Sequence, residues 1–119
     1  MTKNILICCR SAPYGTSLAR ETVDMILAYS VFEQNLSVAF IGDGVWQLVN
    51  QQHTDAIEQK NLNKLISSLT LYDVNNLYIE QDSLYERQLS ADELVVQNNP
   101  VPAEHIKQLM HSADIVINL

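Results

Sequence analysis

The sequence predicts an α/β domain in which a mostly parallel five-stranded sheet carries helices on both faces. Short apolar runs alternate along the chain with segments whose apolar residues recur at helical spacing, and this alternation is typical of parallel sheets with crossover helices. The first run contains no polar alternation, as expected for a strand buried on both faces. The length of 119 residues matches one domain, so residues 1–119 are predicted to form a single unit.

Five apolar runs are the predicted strands. The first is followed by a loop containing Pro13 and Gly15, and the second ends at Gly42-Asp43-Gly44, so turn residues mark both ends. The third is expected to reach Glu80 or Gln81. In order, the predicted strands are Asn4–Cys9, Leu36–Ile41, Leu77–Ile79, Leu94–Val96 and Ile115–Ile117.

Helices are predicted between these strands. Val23, Ile26 and Leu27 recur at helical spacing, which predicts a helix from about Ser17 to Glu33. The polar segment Gln51–Gln59 is predicted to be a loop. The remaining predictions are a short helix in Val45–Asn50, an amphipathic helix containing Leu62, Leu65, Ile66 and Leu69, a helical turn at Ser83–Gln88, and a helix beginning near Pro102 with Ile106, Leu109 and Met110 on its apolar face.

Composition excludes several classes of protein. Apolar residues make up 47% of the chain, which is too many for a disordered protein. The net charge is −7, without a Lys/Arg cluster, which disfavours direct binding to nucleic acid. No apolar run approaches the roughly 20 residues of a membrane span. Only five apolar residues separate Lys3 from Arg10, too few for a signal peptide, so the predicted location is the cytoplasm.

In parallel α/β sheets, binding sites lie at the carboxyl ends of the strands. The loop Arg10–Ser17 joins such an end to a helix and contains one glycine, so it matches neither the dinucleotide fingerprint nor the Walker A pattern. A capped turn is favoured over a phosphate site there. Asp43 is interpreted as a helix cap, and Glu80 with Asp82 as a solvated strand end rather than a catalytic carboxylate pair.

Cysteines and histidines show no metal-binding pattern. Cys8 and Cys9 are adjacent, and neighbours in a strand point to opposite faces, so a disulfide between them is not expected. Their favoured interpretation is that of small buried residues. His105 and His111 are six residues apart on the predicted helix, which puts them on different faces, and His53 lies in a polar loop.

Two large aromatic residues, Tyr14 and Trp46, lie in loops at the carboxyl edge of the predicted sheet, and Tyr85 lies in a loop close to the third strand. Aromatic residues at such an edge often contribute most of the energy of a protein interface. A partly buried core role is the alternative for Tyr14 and Trp46. Tyr14, Trp46 and Tyr85 are therefore the candidate interface residues.

Several short motifs, taken in order and spacing, resemble the TusC (DsrF) group of the DsrE/DsrF-like proteins over essentially the whole chain. The motifs are Ser11–Thr16, Arg20-Glu21, Ile41–Leu48, Leu71–Asp73, Ser83-Leu84, Glu86-Arg87 and the apolar ending after Asp114.

The resemblance implies a DsrE/DsrF-like, flavodoxin-like fold and a subunit of a sulfur relay. Proteins of this group assemble with TusB-like and TusD-like subunits as a dimer of heterotrimers, a heterohexamer. That complex passes persulfide sulfur from TusA towards TusE, for 2-thiouridine formation at the tRNA wobble position. TusA and TusE are thus indirect partners, and no direct contact with nucleic acid or a membrane is expected.

The resemblance also places Glu80 at the position of the sister subunit's persulfide cysteine. A carboxylate cannot carry a persulfide, and beside a thiolate it would raise the thiol pKa. We therefore assign no catalytic, cofactor-binding or metal-binding residue to this chain and expect no activity from it alone.

Three alternatives stay open at this point. One is a DsrF-like role in intracellular sulfur oxidation. Another is a flavodoxin-like protein that binds phosphate or a flavin at the loop Arg10–Ser17. The last is a stand-alone thiol enzyme that uses Cys8 or Cys9, with Arg10 as the sole neighbouring group able to lower a thiol pKa.

Overall fold

The computed structural model describes residues 3–11, 21, 24–28, 35–49, 66 and 76–119. Within these residues, four parallel strands form one sheet in the order β3-β2-β1-β4. The sheet therefore has β1 and β2 at its centre and β3 and β4 at its edges. The strands are β1 (Asn4–Cys9), β2 (Asn35–Phe40), β3 (Leu77–Ile79) and β4 (Ile115–Asn118).

Helical segments connect the described strands. A 3-10 helix, Gly42–Leu48, directly follows β2, and two α-helices have described ends: α1 (Gln81–Glu86) and α2 (Ala103–Ser112). Pro102 immediately precedes α2, where its fixed φ favours helix entry. The predicted helices near residues 45–50, at 83–88 and after Pro102 are thus confirmed in outline.

Part of the remaining helix prediction lies within the described chain. Residues 21, 24–28 and 66 are helical, in agreement with the first and third predicted helices. The other residues of those two helices and the predicted loop Gln51–Gln59 lie outside the described residues.

The five-strand prediction was wrong, because Leu94–Val96 is not a strand of the sheet. A 3-10 turn at Ala91–Glu93, closed by a capping box between Ser90 and Glu93, comes directly before it. Leu94 then forms an isolated antiparallel bridge with Val49. Leu94 and Val96 are buried in the core cluster, and this burial explains why the segment is apolar although it is not a strand. Such a short apolar run does not by itself distinguish a strand from a buried loop.

A different residue lies along the outer edge of β3. Val101 forms a parallel bridge with Glu80. Its N–H donates to the Ile79 carbonyl at 2.8 Å, and its carbonyl accepts the Gln81 N–H at 2.8 Å. This pairing is a single bridge, so it extends the edge of β3 without adding a strand.

Both faces of the sheet are buried at the central strand β1, as the apolar character of this strand predicted. Successive β1 residues point to opposite faces. Ile5, Ile7 and Cys9 belong to one core cluster, which also contains Ile26. Leu6 and Cys8 belong to the other cluster, to which α2 contributes Ile106. The sheet is therefore the middle layer between helical segments on both sides.

Candidate functional site at the carboxyl edge of the sheet

The carboxyl ends of β2 and β3 bring two helices to one edge of the sheet. The 3-10 helix Gly42–Leu48 begins two residues after β2, and α1 begins two residues after β3. Because β2 and β3 are adjacent and parallel, the starts of these helices are neighbours. This is the edge at which ligands of open α/β sheets normally bind.

Buried Ser83 links the two helices through its hydroxyl group. The hydroxyl oxygen accepts the Gly42 N–H at 2.8 Å and donates to Oε1 of Glu80 at 2.6 Å. An unpaired hydroxyl buried here would cost free energy. Glu80, which is half-buried, therefore serves as a hydrogen-bond acceptor that orients Ser83.

Arg87 closes the same group of residues from the other side. Its Nε and Nη2 atoms donate to Oδ1 of Asp43 at 3.2 and 3.0 Å. Its Nη1 atom donates to the Ser83 carbonyl oxygen at 3.1 Å. We call Gly42, Asp43, Glu80, Ser83 and Arg87 the carboxyl-edge cluster.

Two glycines are needed in this turn for different reasons. A Cβ at Gly44 would lie 1.8 Å from the carbonyl oxygen of Cys9 and 2.6 Å from its carbonyl carbon. Gly44 thus permits direct backbone contact between the 3-10 helix and β1. Gly42 has room for a side chain, but its φ of +56° lies in the left-handed region that favours glycine.

The two thiols lie under this edge and are closed to solvent. Cys8 and Cys9 are both free and fully buried. Burial raises the pKa of the Cys9 thiol to about 12, with a further contribution from Cys8. Burial also raises the pKa of Cys8, although the charge of Arg10 opposes that shift. Both thiols are therefore protonated at neutral pH, which fits small buried residues and not a reactive thiol.

The structure separates the three candidate interface residues. Tyr85 lies on α1 with 84% of its surface exposed. Trp46 lies in the 3-10 helix and is half-buried. Tyr14 lies outside the described residues, as does most of the loop Arg10–Ser17. Arg10 itself donates from Nε to Oδ1 of Asn118 at 3.2 Å.

The joint role of Ser83 and Arg87 is not visible in the sequence. Their spacing of four residues puts Ser83 of α1 and Arg87, which directly follows α1, on one side of the helical turn, but the partners Gly42 and Asp43 are more than forty residues away. The side chains of Glu80 and Asp82 have different surroundings, and the structure describes no hydrogen bond that joins them. Glu80 binds Ser83, whereas Asp82 lies exposed in the first turn of α1.

The described residues contain neither a cluster of metal ligands nor a helix that could span a membrane. Among them, no group of three or more His, Cys, Asp or Glu side chains is arranged to hold a metal ion. His105 instead lies beside the ring of Tyr78, with the ring centroids 5.5 Å apart. No helix in the described part of the chain is long and apolar enough to cross a membrane.

Comparison with known proteins gives a consistent result. Residues 3–119 match the model of the DsrE/DsrF-like family. The chain is 36% identical over 104 residues to a TusC homologue of Vibrio vulnificus, covering 87% of this chain and 88% of that protein. It is 38% identical over 95 residues to the intracellular sulfur oxidation protein DsrF of Allochromatium vinosum, covering 80% and 70%.

A solved structure gives the same fold. The crystal structure of the YchN protein from Escherichia coli superimposes with a TM-score of 0.82 over the whole of both chains, at 21% identity. At that identity the likeness concerns the fold alone.

Proposed function

The chain belongs to the DsrE/DsrF-like family, and on that premise we propose that it is a TusC-type subunit of a sulfur-relay complex that carries no sulfur itself. The complex would be of the TusBCD type, a dimer of heterotrimers with TusB-like and TusD-like subunits. The complex would pass persulfide sulfur from TusA towards TusE, and this sulfur would be used for 2-thiouridine formation in tRNA. The identity to a TusC homologue over most of both chains supports this assignment.

The observation that carries the proposal is that this chain has no accessible thiol among its two cysteines. A persulfide carrier needs an accessible thiolate. Cys8 and Cys9 are fully buried, and burial raises both thiol pKa values. Glu80, which we align with the sister subunit's cysteine position, is held by Ser83. Neither place in this chain is suited to receive sulfur.

The carboxyl-edge cluster then has a structural role in the proposed complex. It holds α1 against the 3-10 helix through Ser83 and Arg87. These two helices carry Tyr85 and Trp46, respectively. A rigid base for aromatic side chains lowers the entropy lost on association, so we assign exposed Tyr85 and half-buried Trp46, with Tyr14, to contacts with the sister subunits.

In the proposed complex, this chain would contact neither tRNA nor the proteins that deliver and receive sulfur. A net charge of −7 disfavours direct contact with tRNA. TusA and TusE would exchange sulfur with the other subunits, because no place in this chain is suited to receive it. We place the complex in the cytoplasm, where tRNA thiolation takes place.

A second candidate function is favoured by one observation, the identity of 38% to a protein named for intracellular sulfur oxidation. In that case the same kind of subunit would serve oxidation and not tRNA modification. Deletion of the gene separates the two. Loss of 2-thiouridine from tRNA supports the relay to tRNA, whereas unchanged 2-thiouridine with impaired sulfur oxidation supports the second candidate.

Co-expression with the TusB-like and TusD-like proteins of the same genome tests the proposed assembly. Native mass spectrometry is expected to show a heterohexamer with two copies of this chain. Tyr85→Ala is expected to weaken assembly about tenfold or more, as for an aromatic residue central to an interface. Gln108→Ala, at an exposed position on α2, is the matched control and should assemble normally.

Two outcomes would contradict this account. A chain that purifies without either sister protein would refute the proposed function. Equal assembly of Tyr85→Ala and Gln108→Ala would remove Tyr85 from the interface.

A further inference from the structure

The helix α1 presents one aromatic ring to solvent. Tyr85 is 84% exposed, whereas the other exposed large hydrophobic residues described, Ile115 and Val116, are 38% and 37% exposed. The helix itself is anchored, because Ser83 and Leu84 of the same turn are buried. An aromatic ring that a fixed helix holds in solvent is typical of a surface that binds another protein.

Two carboxylates lie close to this ring and repel each other. Asp82 and Glu86 are both exposed and belong to α1. Asp82 lies three residues before Tyr85, which makes the two side chains neighbours on the helix surface. Asp82 and Glu86 are four residues apart, and like charges at this spacing destabilise a helix. Helix stability therefore does not explain why both positions are acidic.

A single guanidinium serves the carboxylates of this region. The Nη2 atom of Arg87 lies 3.0 Å from Oδ1 of Asp43, and its Nη1 atom lies 3.5 Å from Oε2 of Glu86. Asp82 has no ion pair within the part of the chain that the structure describes. Three exposed carboxylates against one cation leave an excess of two negative charges close to Tyr85.

The chain leaves α1 through a backbone conformation that favours glycine. Gln88 is exposed and has a φ of +55°. Its N–H donates to the Tyr85 carbonyl oxygen at 3.1 Å, and the Leu89 N–H donates to the Leu84 carbonyl oxygen at 2.9 Å. Helices with this hydrogen-bond pattern usually have glycine at the position of Gln88. An exposed side chain kept at a strained position indicates a role outside the fold.

We propose that Asp82, Tyr85, Glu86 and Gln88, which we call the α1 surface, bind a positively charged surface of a sister subunit. A lysine or arginine of that subunit would lie over the face of the Tyr85 ring and between the two carboxylates. This arrangement combines a cation–π contact with two charge pairings. The inference rests on the proposed function and adds to it the chemistry of the partner's surface.

Charge selects a different, basic protein as the occupant of the α1 surface. A second copy of this chain would bring the same acidic surface. The described cations outside this region, Lys3, Arg10 and Lys107, are spread over the start of β1, its end and α2. The carboxylates would also repel nucleic acid. A basic partner fits, because a cation placed between Asp82 and Glu86 offsets their mutual repulsion.

Competition for the sister subunits tests the inference. Equal amounts of the isotope-labelled unmodified chain and an unlabelled variant are combined with the TusB-like and TusD-like proteins, and native mass spectrometry counts each form in the complex. Asp82→Asn with Glu86→Gln, which keeps the side-chain shapes, is expected to be incorporated about tenfold less at about 50 mM NaCl. This disadvantage should shrink at about 500 mM NaCl, because salt screens the charges.

The matched control is Asp92→Asn with Glu104→Gln. It removes the same number of charges at exposed positions outside the α1 surface, so it should compete equally with the unmodified chain at both salt concentrations. Urea denaturation of the isolated variants separates binding from folding. Removing the like charges of Asp82 and Glu86 should leave the urea midpoint unchanged or higher, so that weaker incorporation reports on binding.

Gln88→Gly gives an independent test of the same surface. It is expected to raise the urea midpoint, because glycine adopts the left-handed conformation without strain. Its incorporation into the complex should nevertheless fall, since the side chain that would contact the partner is lost. Full incorporation of this variant would contradict the assignment of Gln88 to the α1 surface.

The competition distinguishes failure of this inference from failure of the proposed function. If the unmodified chain assembles and Asp82→Asn with Glu86→Gln matches its control at low salt, the inference is overturned and the proposed function stands. If the unmodified chain does not assemble with the sister proteins, the proposed function is overturned and this inference with it.

Discussion

Cys8 and Cys9 lie at the end of a central strand, whereas the carboxyl-edge cluster lies just beyond the ends of β2 and β3. The first region contains thiols that solvent does not reach, and burial raises their pKa. The second region lies at the edge where such folds bind ligands, and its carboxylates Glu80 and Asp43 accept hydrogen bonds from Ser83 and Arg87. Sulfur transfer needs an accessible thiolate, and neither region contains one: the thiols are buried, and the side chains of the carboxyl-edge cluster contain no sulfur.

The difference lies in what the polar groups of each region do. In the carboxyl-edge cluster, Ser83 and Arg87 hold the two helices together through Gly42 and Asp43, and Glu80 orients the Ser83 hydroxyl. Gly44 connects this region to the first one, because its backbone contacts the carbonyl of Cys9. Changes in these two regions therefore have distinct expected effects.

The largest effect is expected from Gly44→Ala, which disrupts the contact between the two regions. The new Cβ would lie 1.8 Å from a backbone oxygen, so the 3-10 helix must move away from β1. We expect the free energy of unfolding to fall by about 3 kcal/mol or more, as measured by urea denaturation. In Gly42→Ala the new methyl group has space, but alanine is less stable than glycine in the left-handed conformation that this position adopts. The expected loss in the free energy of unfolding is therefore only about 1 kcal/mol. Equal losses in the two variants would contradict the steric argument.

Ser83→Ala is expected to have the next largest effect, confined to the carboxyl-edge cluster. The substitution leaves the Gly42 N–H and the Glu80 carboxylate without their shared partner. A loss of about 1–3 kcal/mol in the free energy of unfolding is expected. Ser112→Ala is the control, because its hydroxyl is exposed and bonds only within α2. A loss no greater than that of the control would show that the cluster does not hold the helices.

Alkaline pH should destabilise the first region. The pKa of Cys9 is raised in the folded chain from 9.0 to about 12, so above pH 9 the unfolded state releases its proton first. The stability contributed by this thiol is complete below pH 9 and decreases as pH rises towards 12. Between pH 9 and pH 10 the loss is about 1 kcal/mol. The measurement is thermal unfolding against pH.

A Cys9→Ala variant serves as the reference for that pH dependence, because other groups also titrate in alkali. The difference between the two pH profiles belongs to the thiol. Identical slopes for both proteins above pH 9 would mean that the Cys9 pKa is not raised in the folded chain.

The smallest effect is expected from Asp43→Asn at the exposed rim of the cluster. Arg87 would lose an ion pair while keeping its bond to the Ser83 carbonyl. Because Asp43 is exposed, water and salt screen this pair, and the loss should be about 0.5 kcal/mol and smaller still in high salt. A loss above that of Ser83→Ala would mean that the ion pair, and not the hydroxyl, holds the two helices together.

The sequence was most informative where a local pattern determines the structure. The run Asn4–Cys9 correctly predicted a strand buried on both faces, and that burial also favoured inert cysteines. Family membership and a sulfur-relay role were likewise predicted from ordered motifs and are supported by the family match and the relatives.

The sequence-based predictions were wrong or incomplete where contacts between residues far apart in the chain determine the structure. Leu94–Val96 was wrong as a strand because the bridge to Val49 and the place of Val101 beside Glu80 depend on packing. Likewise, no local spacing relates Ser83 to Gly42, which lies 41 residues away. The cluster therefore emerged only from the folded arrangement.

The location of sulfur in the assembled complex is the most direct test of the central claim. The complex would be loaded with persulfide from a TusA-like donor, and each subunit then analysed by mass spectrometry under non-reducing conditions. We expect added sulfur on a cysteine of the TusD-like subunit and none on this chain, even at Cys8 and Cys9. Added sulfur on either of these two cysteines would contradict the account.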